Sequence, residues 1–195
     1  MKKSTIIIIA VIGVVILWAI SIQRKGVTMS EEIDNAWGNV ETAYQRRNDL
    51  IGNLVKTVKG AADYEKSTLE AVVNARTRAT SMSIDPSNMT EEEFKKFTEA
   101  QAEVKSSLDR LLVIVENYPD LKANSSFLKL QDELASTENQ ILTARTRYNN
   151  SVKPFNTYIK KFPTNLLAGI YGFKNRQYFE SDPGAEKAPE IDFEF

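Results

Sequence analysis

IDNAWGNVETAYQRRNDLIGNLVKTVKGAADYEKSTLEAVVNARTRAT, Ile33 to Thr80, is the stretch whose periodicity decides the fold class. Alternate steps of four and three residues from Ile33 meet Ile33, Trp37, Val40, Tyr44, Arg47, Ile51, Leu54, Val58, Ala61, Glu65, Thr68, Val72, Ala75 and Ala79. Only Arg47, Glu65 and Thr68 are polar, so the seam reads as a heptad pattern on one long helix. The spacing predicts a helix A from about residue 30 to about Ser81, roughly 75 Å at 1.5 Å per residue. Thr28-Met29-Ser30-Glu31 has capping-box spacing and sets its expected start.

The pattern continues C-terminally. Asp85-Pro86-Ser87-Asn88 is a turn cluster, and Thr90 to Glu93 repeats the capping-box spacing before helix B. Its seam is Phe94, Phe97, Gln101, Val104, Leu108, Leu111, Val115 and Tyr118, closed by Pro119-Asp120. Helix C is expected from Ser125 or Ser126, with Phe127, Gln131, Leu134, Glu138, Ile141, Arg145, Tyr148, Val152, Phe155, Ile159 and Phe162 in phase. Pro154 lies inside that phase and is expected to kink or break it. No glycine occurs between Gly60 and Gly169, and the first proline is Pro86. A sheet of short strands needs turn residues far more often, so the chain is predicted to be all-α.

Before the seam, Ile6 to Ile22 reads IIIIAVIGVVILWAISI without a charge. Its length is about 26 Å as helix, close to a hydrocarbon core of about 30 Å once Ser4 and Thr5 are added. A cleaved signal peptide is the competing reading, with Lys2 and Lys3 as a basic start and Ala19-Ile20-Ser21 as a loose cleavage site. A span is preferred because the apolar run exceeds an ordinary signal core. The α-amine, Lys2 and Lys3 precede it and Arg24 and Lys25 follow, which favours an N-terminus inside and the bulk of the chain outside a bacterial inner membrane. The resulting layout is a flank at 1–5, a transmembrane anchor at 6–22, a helical bundle at 30–173 and an acidic, partly disordered tail at 174–195. The fold class is an N-terminal transmembrane helix followed by a long-helix, antiparallel up-and-down bundle with coiled-coil character.

Composition restricts the chemistry. The 195 residues include no histidine and no cysteine, which removes thiolate nucleophiles, disulfides, Cys/His metal sites and imidazole bases. The 25 Lys and Arg nearly balance the 26 Asp and Glu, leaving no net basic field for nucleic acid. With no P-loop, nucleophile elbow or dinucleotide fingerprint, neither an enzyme nor a cofactor is expected.

AWGNVETAYQRRNDLIGNLVKTVKGAADYEKSTLEAVVNAR (Ala36 to Arg76), ENQILTARTRYNNSV (Glu138 to Val152) and FPTNLLAGIYGF (Phe162 to Phe173) resemble the LemA family. The Tyr44-x-Arg46-Arg47-x-x-Leu50 string followed by Glu65 carries much of the likeness, which extends to Tyr178-Phe179-Glu180. The resemblance implies a bacterial, membrane-anchored, antiparallel helical bundle without established enzymatic activity. It further suggests partners among membrane proteases and their neighbours.

Arg47, Glu65, Gln101, Glu138 and Arg145 interrupt the apolar seams and are assigned as register-setting buried polar residues. A helix A of about 50 residues outreaches B and C, about 27 and 29 residues. The expected consequence is an uncovered apolar stripe at Ile33, Trp37, Val40, Tyr44 and Ile51, read as the interface of a homo-oligomer or partner. Leu166 to Phe173 is expected to pack on the bundle rather than lie in the membrane interface, because it carries no basic face. Ile191, Phe193 and Phe195 alternate with Asp192 and Glu194, the pattern of a docking strand. These features favour a membrane-anchored scaffold that self-assembles, contacts lipid through 6–22 and docks other envelope proteins. The alternative is a regulatory accessory of a membrane protease or sensor kinase.

Overall fold

The computed structural model describes residues 3–61, 66–82 and 84–180, with backbone alone at 60 and 61. The helices are α1 (Lys3–Ala61), α2 (Lys66–Thr80), α3 (Glu91–Val115), α4 (Pro119–Lys122), α5 (Ser125–Lys160) and α6 (Asn165–Ala168). The described residues contain no strand, so the all-α class holds.

Cross-helix contacts set the topology. Arg76 donates from Nε to the Asn48 carbonyl at 2.8 Å, so α2 returns antiparallel along α1. Trp37 meets Phe94, Tyr44 meets Phe97 and Arg47 meets Gln101, so α3 runs parallel to α1. Arg47 meets Glu138, Trp37 meets Tyr148 and Tyr158 reaches Ile22, so α5 descends antiparallel to α1. The result is an up-down-up-down four-helix bundle in which α1, α2, α3 and α5 face one core.

Helix A is therefore two helices. The heptad phase continues from Val58 to Val72, Ala75 and Ala79 because both arms of the α1/α2 hairpin point their seams into the same core, so periodicity alone carries no record of the reversal. Gly60, in the last turn of α1, is the residue that marks it. The start was also misplaced. α1 is continuous from Lys3, and Thr28 sits mid-helix, its hydroxyl donating to the Arg24 carbonyl. With no helix end at that point there are no orphan amides for a capping box to satisfy. Thr90, by contrast, forms a complete capping box with Glu93 at the start of α3. Asn124 caps α5 at Ser126 and Phe127. α5 neither breaks nor stops at Pro154 and continues to Lys160.

Halving helix A removes the length mismatch. The 36 residues of α5 rise about 54 Å, enough to accompany α1 down to Ile22. Ile33, Trp37, Val40, Tyr44 and Ile51 are all buried within the chain. The uncovered stripe does not exist. Its cover is α3, α5 and a segment from Phe173 to Glu180 that returns along α5.

The span segment behaves differently. From Ile6 to Leu17 the large apolar side chains of α1 are exposed, on a helix long and apolar enough to cross a membrane.

Candidate functional site

Two buried constellations organise the bundle, and the first is centred on Arg47. The seam places this cation on the core face of α1, where it is 2% exposed. Nη1 donates to Glu138 Oε1 at 3.1 Å, and Nη2 donates to Gln101 Oε1 at 2.5 Å and to the Gln101 carbonyl at 3.3 Å. The guanidinium also stacks over the Tyr44 ring at 5.0 Å. Three of the five polar seam residues thus come together and join α1, α3 and α5 in one layer. Arg145 stands apart, donating to the Glu180 carbonyl at 2.7 Å and covering the Phe179 ring. Glu65 lies outside the described residues, as do Ile191, Phe193 and Phe195. The guanidinium is fixed by a carboxylate and an amide on separate helices, and sliding any of these helices by one turn would leave a buried charge unpaired.

The second constellation is an aromatic cluster around Trp37. Its ring lies 5.3 Å from Phe97, 5.4 Å from Tyr148 and 6.4 Å from Phe94, and it stacks at 5.9 Å and 10° on Phe179. Burial pushes the Tyr148 phenol up to about 12, with the Arg176 cation opposing and Asp34 adding to the rise. Among the described residues, neither the Tyr148 hydroxyl nor Trp37 Nε1 has a hydrogen-bond partner.

Phe179 belongs to the segment read from sequence as part of an acidic, partly disordered tail. It is held by an arrangement that the sequence reading missed. Asn156 accepts from the Arg176 N–H at 2.9 Å and donates to the Arg176 carbonyl at 2.8 Å. Asn149 does the same for Phe179, at 2.9 and 2.8 Å. Seven helical residues rise about 10.5 Å and three extended residues about 10 Å, so two asparagines seven apart match backbone positions three apart. The side-chain amides act as rungs of a ladder between a helix and an extended strap. The Arg176 side chain crosses the bundle to the Ser30 hydroxyl at 2.8 Å, Asp34 at 3.5 Å and the Pro86 carbonyl. This ties the α2–α3 connection to α1. The signals available in sequence were the Asn149/Asn156 spacing and two glycines. Gly172, at φ +75°, turns the chain into the strap, and Gly26 admits the Phe173 ring so closely that a Cβ would overlap it.

Together these observations define a class: an up-and-down four-helix bundle, continuous with a helix apolar enough to cross a membrane and closed by a C-terminal strap. The sequence profile of the LemA family matches residues 36–193. The chain belongs to the LemA family. It is similar to magnetosome proteins MamQ 1 and MamQ 2 of Paramagnetospirillum magneticum, each 30% identical over 200 residues that cover 93% of this chain and 74% of the relative. It is also similar to protein LemA of Metamycoplasma hominis, 24% identical over 182 residues covering 92% of this chain and 80% of that protein.

Proposed function

We propose that this protein is a non-enzymatic membrane scaffold whose bundle is held at a bilayer and docks envelope partners. The observation that carries the reading is the continuity of α1, one helix from Lys3 to Ala61 that is at once the apolar segment and the central helix of the bundle. A change at one end reaches the other through about 88 Å of uninterrupted helix. The polar residues on the seams support the same reading, since Arg47, Gln101 and Glu138 are engaged with one another. The MamQ relatives are named as magnetosome proteins, which accords with a role at a membrane.

Self-assembly remains part of the proposal, moved from the stripe to the outer surface. The groove between α1 and α5, lined by Asn39, Thr42, Ala43, Arg46, Asn139 and Thr143, among others, combines small and polar side chains on two core helices. The N-terminus-inside orientation stays with the proposal as read from the flanking charges.

Native purification from membranes followed by mass photometry and electron microscopy tests this function. A defined assembly or a stoichiometric membrane partner is the expected outcome. A monomer without partners, or turnover of a small molecule by the purified chain, overturns it.

A further inference from the structure

The segment that follows α5 is divided between two surroundings. Ala168 and Phe173 turn inward, with Phe173 against Gly26 and Phe155. Phe162, Leu166 and Ile170, spaced by four, point away from the protein at 79%, 61% and 77% exposure. Two tyrosines fix the height of these side chains. Tyr171 donates its hydroxyl proton to the Ala19 carbonyl at 3.0 Å and Tyr158 donates to that of Ile22 at 3.2 Å, so the exposed apolar trio sits level with the end of the Ile6–Ile22 run. The charge carried by this segment and by the α5 turns leading into it is of one sign. From Asn139 to Phe179 the sequence contains Arg145, Arg147, Lys153, Lys160, Lys161, Lys174 and Arg176 and no Asp or Glu. Lys160 and Lys161 directly precede Phe162, and Arg24 and Lys25 lie on α1 at the same level, with Lys25 over the Tyr158 ring at 5.1 Å. The near-neutral total conceals this segregation, and the basic face absent from Leu166–Phe173 itself is supplied by its neighbours in space.

We propose that residues 161–173 form a foot that rests in the membrane interface, with Phe162, Leu166 and Ile170 among the acyl chains and Lys160, Lys161, Arg24 and Lys25 against anionic lipid headgroups. Apolar side chains that enter a few ångströms while cations remain at headgroup level are what an interfacial contact requires. Tyrosines at the boundary fit the same depth. Lipid is the occupant because the patch is continuous with the apolar run and its border is cationic, complementary to an anionic surface. A helix alone leaves the bundle free to tilt. A second contact beside it fixes the direction in which the bundle stands.

The inference rests on the apolar run crossing the bilayer, and the test separates the two. The full chain has no cysteine, so single environment-sensitive labels can be placed at Ile170→Cys, Val14→Cys and Leu142→Cys, all exposed positions. The variants are reconstituted in phosphatidylcholine vesicles with or without phosphatidylglycerol and probed with nitroxide-labelled lipid and aqueous iodide. The expected result is lipid quenching at Ile170 and Val14, iodide quenching alone at Leu142, and an increase at Ile170 with phosphatidylglycerol that is lost in Lys160→Gln/Lys161→Gln. Iodide quenching at Ile170 equal to that at Leu142, with Val14 still in lipid, overturns the foot and leaves the anchor. An aqueous Val14 overturns both. Protection of Ile170 from both quenchers replaces lipid with a second copy of the chain, and indifference to phosphatidylglycerol removes the headgroup contact.

Discussion

The half of the bundle nearer the apolar segment is packed with Trp37, Tyr44, Phe94, Phe97, Tyr148, Phe155 and Phe179, whereas the far half is packed with Leu50, Ile51, Leu54, Val58, Val72, Val104, Leu108 and Leu111. Arg47 lies on α1 between them, one turn from Tyr44 and from Ile51. The far half is built mainly from the α1/α2 hairpin and α3, whose aliphatic seams face one another, with Leu121 of α4 and Phe127 and Leu134 at the start of α5 closing it. The near half is assembled from distant parts of the chain, since Phe179 and Arg176 must return from the C-terminus to Trp37 and Ser30. A heptad code builds the first kind of core, and a strap completes the second.

The largest effects should come from the two centres. Trp37→Ala removes the ring on which four aromatic partners converge and should cost about 3–5 kcal/mol. Leu111→Ala, in the far half, should cost about 2–5 kcal/mol. Hydrogen exchange distinguishes them: Trp37→Ala should expose amides of α5 around Tyr148, and Leu111→Ala those around Val72 and Leu134. Equal deprotection throughout in both variants would show that the halves unfold as one unit and would remove the distinction.

Arg47 tests the boundary itself. Arg47→Ala leaves the buried Gln101 side chain without its donor and Glu138 without its cation, at about 2–3 kcal/mol because Glu138 is partly exposed. Arg47→Met keeps the volume of the side chain and should recover part of that loss if packing, rather than pairing, carries the stability. Chemical denaturation of both variants, with Glu138→Gln as the third corner of a cycle, measures the coupling. A coupling indistinguishable from zero assigns Arg47 no role in holding α1 to α5.

The third helix was legible in the sequence, from the Thr90 capping box through the Phe94 to Val115 seam, because local rules govern a single helix. So was the identity of Arg47 and Gln101 as buried polar groups, whereas Glu138 sits partly exposed at the edge of the core. The reversal after Ala61 was not legible, since a hairpin whose arms share one core preserves heptad phase across the turn. That error lengthened helix A, left Trp37 without neighbours and produced an interface where the chain has its core. The strap escaped notice for a different reason. Extended chain paired with asparagine side chains has neither the period of a helix nor that of a sheet, and Phe179 has no apolar neighbour pattern to announce its burial.

Removing single rungs of the strap should have smaller, confined effects. Asn149→Ala and Asn156→Ala each delete a donor and an acceptor and should cost about 1–2 kcal/mol. The loss should appear as exchange at Arg176 and Phe179 and in the near half alone. Deprotection of α2 or the far part of α3 would contradict the confinement of the strap to one half.

Tyr148 offers the smallest effect and the cleanest sign. Its phenol is raised from 10.0 to about 12, chiefly by burial, so the folded state holds the proton more tightly than the unfolded one. A raised folded value means that the group contributes its stability fully below pH 10 and loses it as pH climbs through the interval from 10 to about 12. The near half should therefore soften in that alkaline window. Tyr148→Phe removes both the titration and a buried hydroxyl that has no partner among the described residues, so at neutral pH the change should be neutral or stabilising, by up to about 1 kcal/mol. Thermal melts of the two proteins across the alkaline range make the comparison. The native chain should lose stability relative to Tyr148→Phe above pH 10, and parallel curves would mean that the hydroxyl reaches water and that the aromatic core is less closed than its packing shows.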